Sequence, residues 1–183
     1  MTHNIFFISD THFGHANALT FKCNDGNPMR PFSSVEEMDE HMVEQWNKTV
    51  RPQDKVYHLG DCVIARKNLP ILGRLNGHKR LVRGNHDIFP TKEYMQYFEE
   101  IYGVRVYSKE NFICSHIPLH PESLYRWKAN IHGHLHCNRV MKDAGYDNQA
   151  EPKYTIDERY ISVCVEQVNY TPISLDEILA RLP

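Results

Sequence analysis

The sequence contains no run approaching the roughly 20 apolar residues needed to cross a bilayer, no block of lysine and arginine, and no C-x-x-C pair. The first absence excludes a membrane-spanning helix, so no membrane association is expected. The second, with a formal net charge of -2, argues against an extended nucleic-acid surface, since long tracks along DNA or RNA carry a basic stripe. Short or single-stranded nucleic acid stays open as a partner. The third concerns five cysteines (Cys23, Cys62, Cys114, Cys137 and Cys164), odd in number and unpaired in spacing. They read as reduced thiols in a cytoplasmic setting and exclude a structural thiolate zinc site. The opening MTHNIFFISD has neither a basic n-region nor a cleavage site, which gives the same cytoplasmic expectation. No repeat or linker divides the 183 residues, so one domain over 1–183 is expected.

What the chain does have is histidine, twelve in all, and their places follow the strands. Apolar stretches at 4–9, 55–60, 78–84, 104–108, 111–116 and 129–134 read as strands, and RYISVCVEQVN (159–169) as a late one. Ser34 with Glu37 reads as a capping box before a helix over 35–50, with Met38, Met42, Val43 and Trp46 on one face. Short helices are expected over 69–75 and 91–101, and Ser174 caps a final one; 21–32 and 142–153 read as polar surface loops. Strands alternating with helices, then strand-rich, predict an α/β fold with a large mixed sheet or two stacked sheets.

Asp10-Thr11-His12 follows the first strand and Gly60-Asp61 the second. Gly84-Asn85-His86-Asp87 follows the third, His116 the strand NFICS, and Gly133-His134-Leu135-His136 the strand ANI. Ligands of α/β sheets gather at the carboxyl ends of strands, so these five ends can converge although they span residues 10–136. Carboxylate, imidazole and amide oxygen without thiolate suit Mn, Fe, Zn or Ni. Asp10, His12, Asp61, Asn85, His116, His134 and His136 are too many ligands for one open catalytic ion. With one bridging carboxylate they divide between two divalent ions, a clamp for in-line displacement at phosphorus. Each fragment alone has a bland reading as a turn or surface group; the ordered set after five strands does not.

That ordered set resembles the calcineurin-like metallophosphoesterase superfamily, whose pattern is D-x-H, G-D, G-N-H-[DE], a lone His, then G-H-x-H. The strings ISDTHFGHAN, MRPFSS, VYHLGD and RLNGHKRLVRGNHD are similar to a compact bacterial and phage-type branch. The resemblance implies a four-layer α/β/β/α sandwich of two mixed sheets flanked by helices. It implies that Asp10, His12, Asp61 and His136 hold one metal, with Asp61 bridging, and that Asn85, His116 and His134 complete the second. Manganese is the first expectation. His86 would face the scissile phosphate and protonate the leaving oxygen, and Asp87 would orient His86 by accepting from its ring. Gly84 is expected to let the backbone turn tightly. The stretch GDCVIAR departs from the G-D-x-x-D-R-G of protein phosphatases and dinucleoside tetraphosphatases, with Ile64 at the second Asp and Arg66 displaced by one. Those substrates are therefore disfavoured.

The expected activity is hydrolysis of small phosphomonoesters or phosphodiesters, nucleotide-like in character, by a water activated as hydroxide. A small nuclease of the same superfamily and a catalytically silent scaffold are the alternatives. His15, Arg30 and Arg66 are candidate phosphate contacts, each set against a role in holding its own loop. Tyr125, Arg126 and Trp127 offer a stacking surface or a covering loop. His58 and His132 read as structural, and Cys62 and Cys137 as small buried packing beside ligands.

Overall fold

The computed structural model describes residues 3–147 and 149–183, so Met1, Thr2 and Asn148 lie outside the described residues. Strands β1 (Ile5–Ile8), β2 (Lys55–His58), β3 (His78–Val82) and β4 (Glu100–Tyr102) run parallel in one sheet. The short β11 (Ile173–Ser174) joins β1 antiparallel, giving the order β11-β1-β2-β3-β4. The second sheet has the order β10-β7-β6-β5, from β5 (Val104–Tyr107), β6 (Phe112–Ser115), β7 (Ala129–His132) and β10 (Tyr160–Ser162). Only the β5–β6 pair is antiparallel there. The mixed sheets flanked by helices are the α/β class expected.

The sheets meet through aromatic side chains. Phe7 of β1 stacks on Tyr57 of β2 and meets Tyr107 of β5 and Phe112 of β6 edge-on, with centroids 5.6–6.1 Å apart. Rings of this size dominate core energetics and prefer these offset and T-shaped contacts. Helix α1 (Val35–Thr49) buries Met38, Met42, Val43 and Trp46, the expected face, and Ser34 accepts the Glu37 N–H at 3.1 Å. At the last helix, α3 (Leu175–Ala180), Ser174 and Glu177 close a full capping box.

Four expectations are corrected. The 91–101 helix stops early: α2 covers Thr91–Tyr94, and 100–102 pairs with β3 instead. The spacing of Tyr94, Phe98 and Ile101 suits a helix, but the open edge of β3 takes the backbone. The 159–169 strand ends at Ser162 and becomes a 3-10 turn over Val165–Gln167. The polar loop at 142–153 is largely an exposed hairpin of β8 (Met141–Tyr146) and β9 (Pro152–Ile156). Cys23 and Cys137, 114 residues apart, form a disulfide, so neither is a reduced thiol and Cys137 is not packing material. Cys62, Cys114 and Cys164 are free and buried. Cysteine usage therefore no longer argues for a cytoplasmic setting. Among the described residues no helix is long and apolar enough to cross a membrane.

His58 and His132 are buried, as structural histidines should be. The Thr11 hydroxyl donates to Cys62 O, so His58 Nε2–H donates to Thr11 Oγ1 at 3.0 Å, while Nδ1 accepts from Gly60 N–H at 3.2 Å. A second ring proton would point at that N–H. Burial accordingly pulls the His58 pKa down to about 4, against the opposing pull of Asp87, Asp10 and Asp61. The folded pKa lies below the ordinary 6.5, so the stabilisation is complete above pH 6.5. It is lost as the pH falls towards 4, at about 1.4 kcal/mol per pH unit. Long-range 1H–15N spectra should find His58 in the neutral Nε2–H form at pH 5.5; a titration midpoint near 6.5 would contradict this reading.

Candidate metal centre

The carboxyl ends of β1, β2, β3, β6 and β7 bring the expected ligands together. Asp10, His12 and His136 form one group of donors and Asp61, His116 and His134 a second, with donor atoms within 4.8 Å of one another in each. Asn85 joins the second group, its Oδ1 2.9 Å from His116 Nε2.

Five of these residues have left-handed backbone: Asp10 (φ 58°), His12 (45°), Asp61 (58°), His134 (72°) and His136 (51°). Residues two apart on a strand point the same way, but the strand has ended here. The left-handed turn at each ligand aims both side chains of Asp10-Thr11-His12, and both of His134-Leu135-His136, back into one space. Each such residue costs on the order of 1 kcal/mol. The surroundings hold them there: Asp10 N donates to Gly60 O at 2.9 Å, and His12 N to Asp61 O at 3.0 Å.

Two glycines of the motifs serve by having no side chain. Gly84 is not among the residues of left-handed backbone, so the tight-turn expectation is replaced by close approach. A Cβ at Gly84 would collide with Asp61 Oδ1, and one at Gly133 with Asp10 Oδ2. Each glycine makes way for a carboxylate on a neighbouring strand end.

Both carboxylates are buried. Asp10 Oδ2 accepts from His134 N–H at 2.9 Å and from the Cys164 thiol at 3.3 Å. Asp61 Oδ1 accepts from His86 N–H at 2.8 Å. Asp61 Oδ2 lies between the groups, 3.6 Å from His12 Nε2 and 3.3 Å from His116 Nε2. Burial opposes the charge on Asp10, yet His12, His116 and His136 hold its carboxyl well below the usual range. Asp61 is lowered against burial chiefly by His116. His116 shows the converse: burial would lower it, but Asp61 and Asp10 raise it to about 9. Its Nδ1 donates to Leu59 O at 2.8 Å, turning Nε2 to the cluster.

The residues fit metal ions. Asp10 Oδ1 is buried without a hydrogen-bond partner and faces His12 Nε2 at 3.7 Å, too long for a hydrogen bond. A buried carboxylate oxygen left without a donor is costly, and a cation between these atoms would satisfy it. The donor set of imidazole, carboxylate and amide oxygen suits a divalent transition ion.

Several expected roles change. His86 is exposed, its ring 5.4 Å from that of His12 by centroids. Asp87 does not accept from that ring. Its oxygens accept from the backbone N–H groups of Asp61 (2.8 Å), Cys62 (3.0 Å) and Gly84 (2.8 Å). It laces two strand ends together rather than orienting His86. Arg30 is fully buried and donates to Asp10 O, Thr11 O and Glu166 Oε1, so it anchors the first strand end and does not meet substrate. Arg66 pairs with Glu93 and lies over Phe89, contacts that hold its loop. His15 does reach the edge of the first group, 5.7 Å from the His12 ring and edge-on to Phe21. Tyr125 is exposed, while Trp127 packs against the small core of Ile113, Leu124 and Tyr160.

Glu166 escapes sequence reasoning. Its Oε1 accepts from His136 Nδ1 at 3.1 Å and from Arg30 Nε at 2.8 Å. The one available signal is the lone carboxylate within RYISVCVEQVN, a run that reads as strand.

Residues 3–157 match the calcineurin-like phosphoesterases, and the chain belongs to that family. An uncharacterised protein of Methanocaldococcus jannaschii is 37% identical over 182 residues, 96% of this chain and 89% of that protein. The gene 66 protein of Mycobacterium phage D29 is 37% identical over 89 residues, 46% of this chain and 40% of its own. Among solved structures, a protein of unknown function from Aquifex aeolicus superposes with a TM-score of 0.68 at 28% identity, covering 97% of this chain and 98% of that one.

The close approach at the glycines is directly testable. Gly84→Ala should displace Asp61 and weaken metal binding at least tenfold in a Zn2+ titration, while circular dichroism keeps the native spectrum. Wild-type affinity in that variant would contradict the packing argument.

Proposed function

We propose that this protein hydrolyses small phosphoesters at a centre of two divalent metal ions. The observation that carries the proposal is Asp61 Oδ2, placed between His12 and His116 at 3.6 and 3.3 Å so that it can serve both groups. Manganese is the ion we favour, with Fe, Ni or Zn compatible with the same donors. When bound, the pair would polarise the phosphoryl oxygens and lower the pKa of a water near phosphorus.

The chain's own residues supply the rest. Asp10, His12 and His136 would hold one ion, and Asn85, His116 and His134 the other, with Asp61 between. His116 and His136 each donate through Nδ1 to a fixed acceptor, Leu59 O and Glu166 respectively, which leaves Nε2 for a metal. His86 stands on the solvent side with its backbone pinned by Asp61, where its ring can reach the leaving oxygen of a bound ester and give it a proton. His15, at the same rim, is in place to contact the ester's phosphate. Burial and the neighbouring His12, Arg30, His86 and His136 lower its pKa, so it would act as a neutral hydrogen-bonding group.

Small substrates fit a rim without a basic track.

Mn-reconstituted protein should hydrolyse p-nitrophenyl phosphate or its bis-ester, and a chelator should abolish turnover. His86→Ala should lower kcat by about 10²–10⁴ with metal content unchanged. Absence of metal-dependent turnover of either ester, or loss of metal along with activity in the variant, would contradict the assignment.

A further inference from the structure

We propose that Glu166 is a positioning residue that, with the buried Arg30, locks the Asp10–His12–His136 group as the tighter of the two metal sites. The inference rests on the reading that both groups hold metal, and does not depend on what the protein hydrolyses.

The first group is braced from a segment beyond the residues that match the family. The turn from Cys164 to Gln167 reaches it three times. The Cys164 thiol, which burial keeps protonated, donates to Asp10 Oδ2. Glu166 Oε1 accepts from His136 Nδ1, and Gln167 Nε2 donates to His136 O at 2.9 Å. Ser9 and Cys164 form a β-bridge that fixes this turn beside the end of β1.

Arg30 closes the circuit. Its side chain is 0% exposed, and that of Glu166 is 4% exposed. One guanidinium thus holds the carbonyls of Asp10 and Thr11 on one strand end and, through Glu166, the His136 ring on another. A carboxylate behind an imidazole fixes which nitrogen faces the metal and makes that nitrogen a better donor. Among the described residues no carboxylate stands behind an imidazole of the second group. The acceptor behind His116 is the neutral Leu59 carbonyl, and Asn85 is exposed. Behind its imidazoles, one site therefore has a buried ion pair and the other a neutral backbone carbonyl.

The test is a Zn2+ titration of the full-length protein, wild type and Glu166→Gln, followed by imidazole 15N shifts. In the variant, the His12 and His136 signals should need about 10–100-fold more free zinc, while His116 and His134 respond as in wild type. All four rings responding at wild-type zinc concentrations would overturn the proposal, as would equal weakening at both sites. A variant that failed to fold would leave the wild-type spectra to decide. Metal-free His136 should carry its proton on Nδ1 and take zinc on Nε2; the reverse tautomer, or zinc on Nδ1, would overturn it. Turnover enters none of these readouts, so a protein that binds zinc in this order yet hydrolyses no phosphoester would refute the proposed function alone.

Discussion

Two carboxylates, Asp10 and Asp61, lie buried at the ends of adjacent parallel strands and are held in their charged form. An isolated buried carboxylate would simply take up a proton, because removing its charge from water costs several kcal/mol. Here the site around it is built to prevent that. Backbone N–H groups of His134 and His86 and the Cys164 thiol occupy one oxygen of each pair. Imidazoles crowd the other side, and in the metal-free chain His116 carries the compensating charge, with its pKa raised to about 9. Metal loading would then displace a proton. The left-handed ligand backbones, the bare Gly84 and Gly133, and the lacing of strand ends by Asp87 all keep these two groups close without collision.

The fold serves the same constraint. Parallel strands put β1, β2 and β3 ends side by side, and the aromatic seam of Phe7, Tyr57, Tyr107 and Phe112 sets the second sheet against the first. His116 and the His134–His136 pair thereby arrive from β6 and β7 opposite Asp10 and Asp61. Left-handed backbone at five ligands is strain that strand ends can hold only because neighbouring strands and buried side chains over-determine them.

Much of this is legible in the sequence alone. Each ligand follows an apolar strand, and strand ends of an α/β sheet converge, so residues from 10 to 136 could be read as one site. The α1 face and the Ser34 and Ser174 caps followed from local spacing alone. What escaped depends on tertiary contact. Arg30 sits in a polar loop and reads as a phosphate contact or an anchor of that loop, yet it is wholly buried between two strand ends. Asp87 follows His86 directly and reads as its partner, but its oxygens face the backbone of another strand end. Cys23 and Cys137 are 114 residues apart with nothing local to pair them. The hairpin at 141–156 is masked by its charged, glycine-containing composition, and Glu166 by its place in a run read as strand.

The central claim is that Asp61 joins two metal sites into one centre. The most direct measurement is electron paramagnetic resonance of the fully manganese-loaded protein, alongside Asp61→Asn. The account predicts the multiline spectrum of an exchange-coupled pair in the wild type, and only isolated ions in the variant. Isolated manganese in the fully loaded wild type would contradict it.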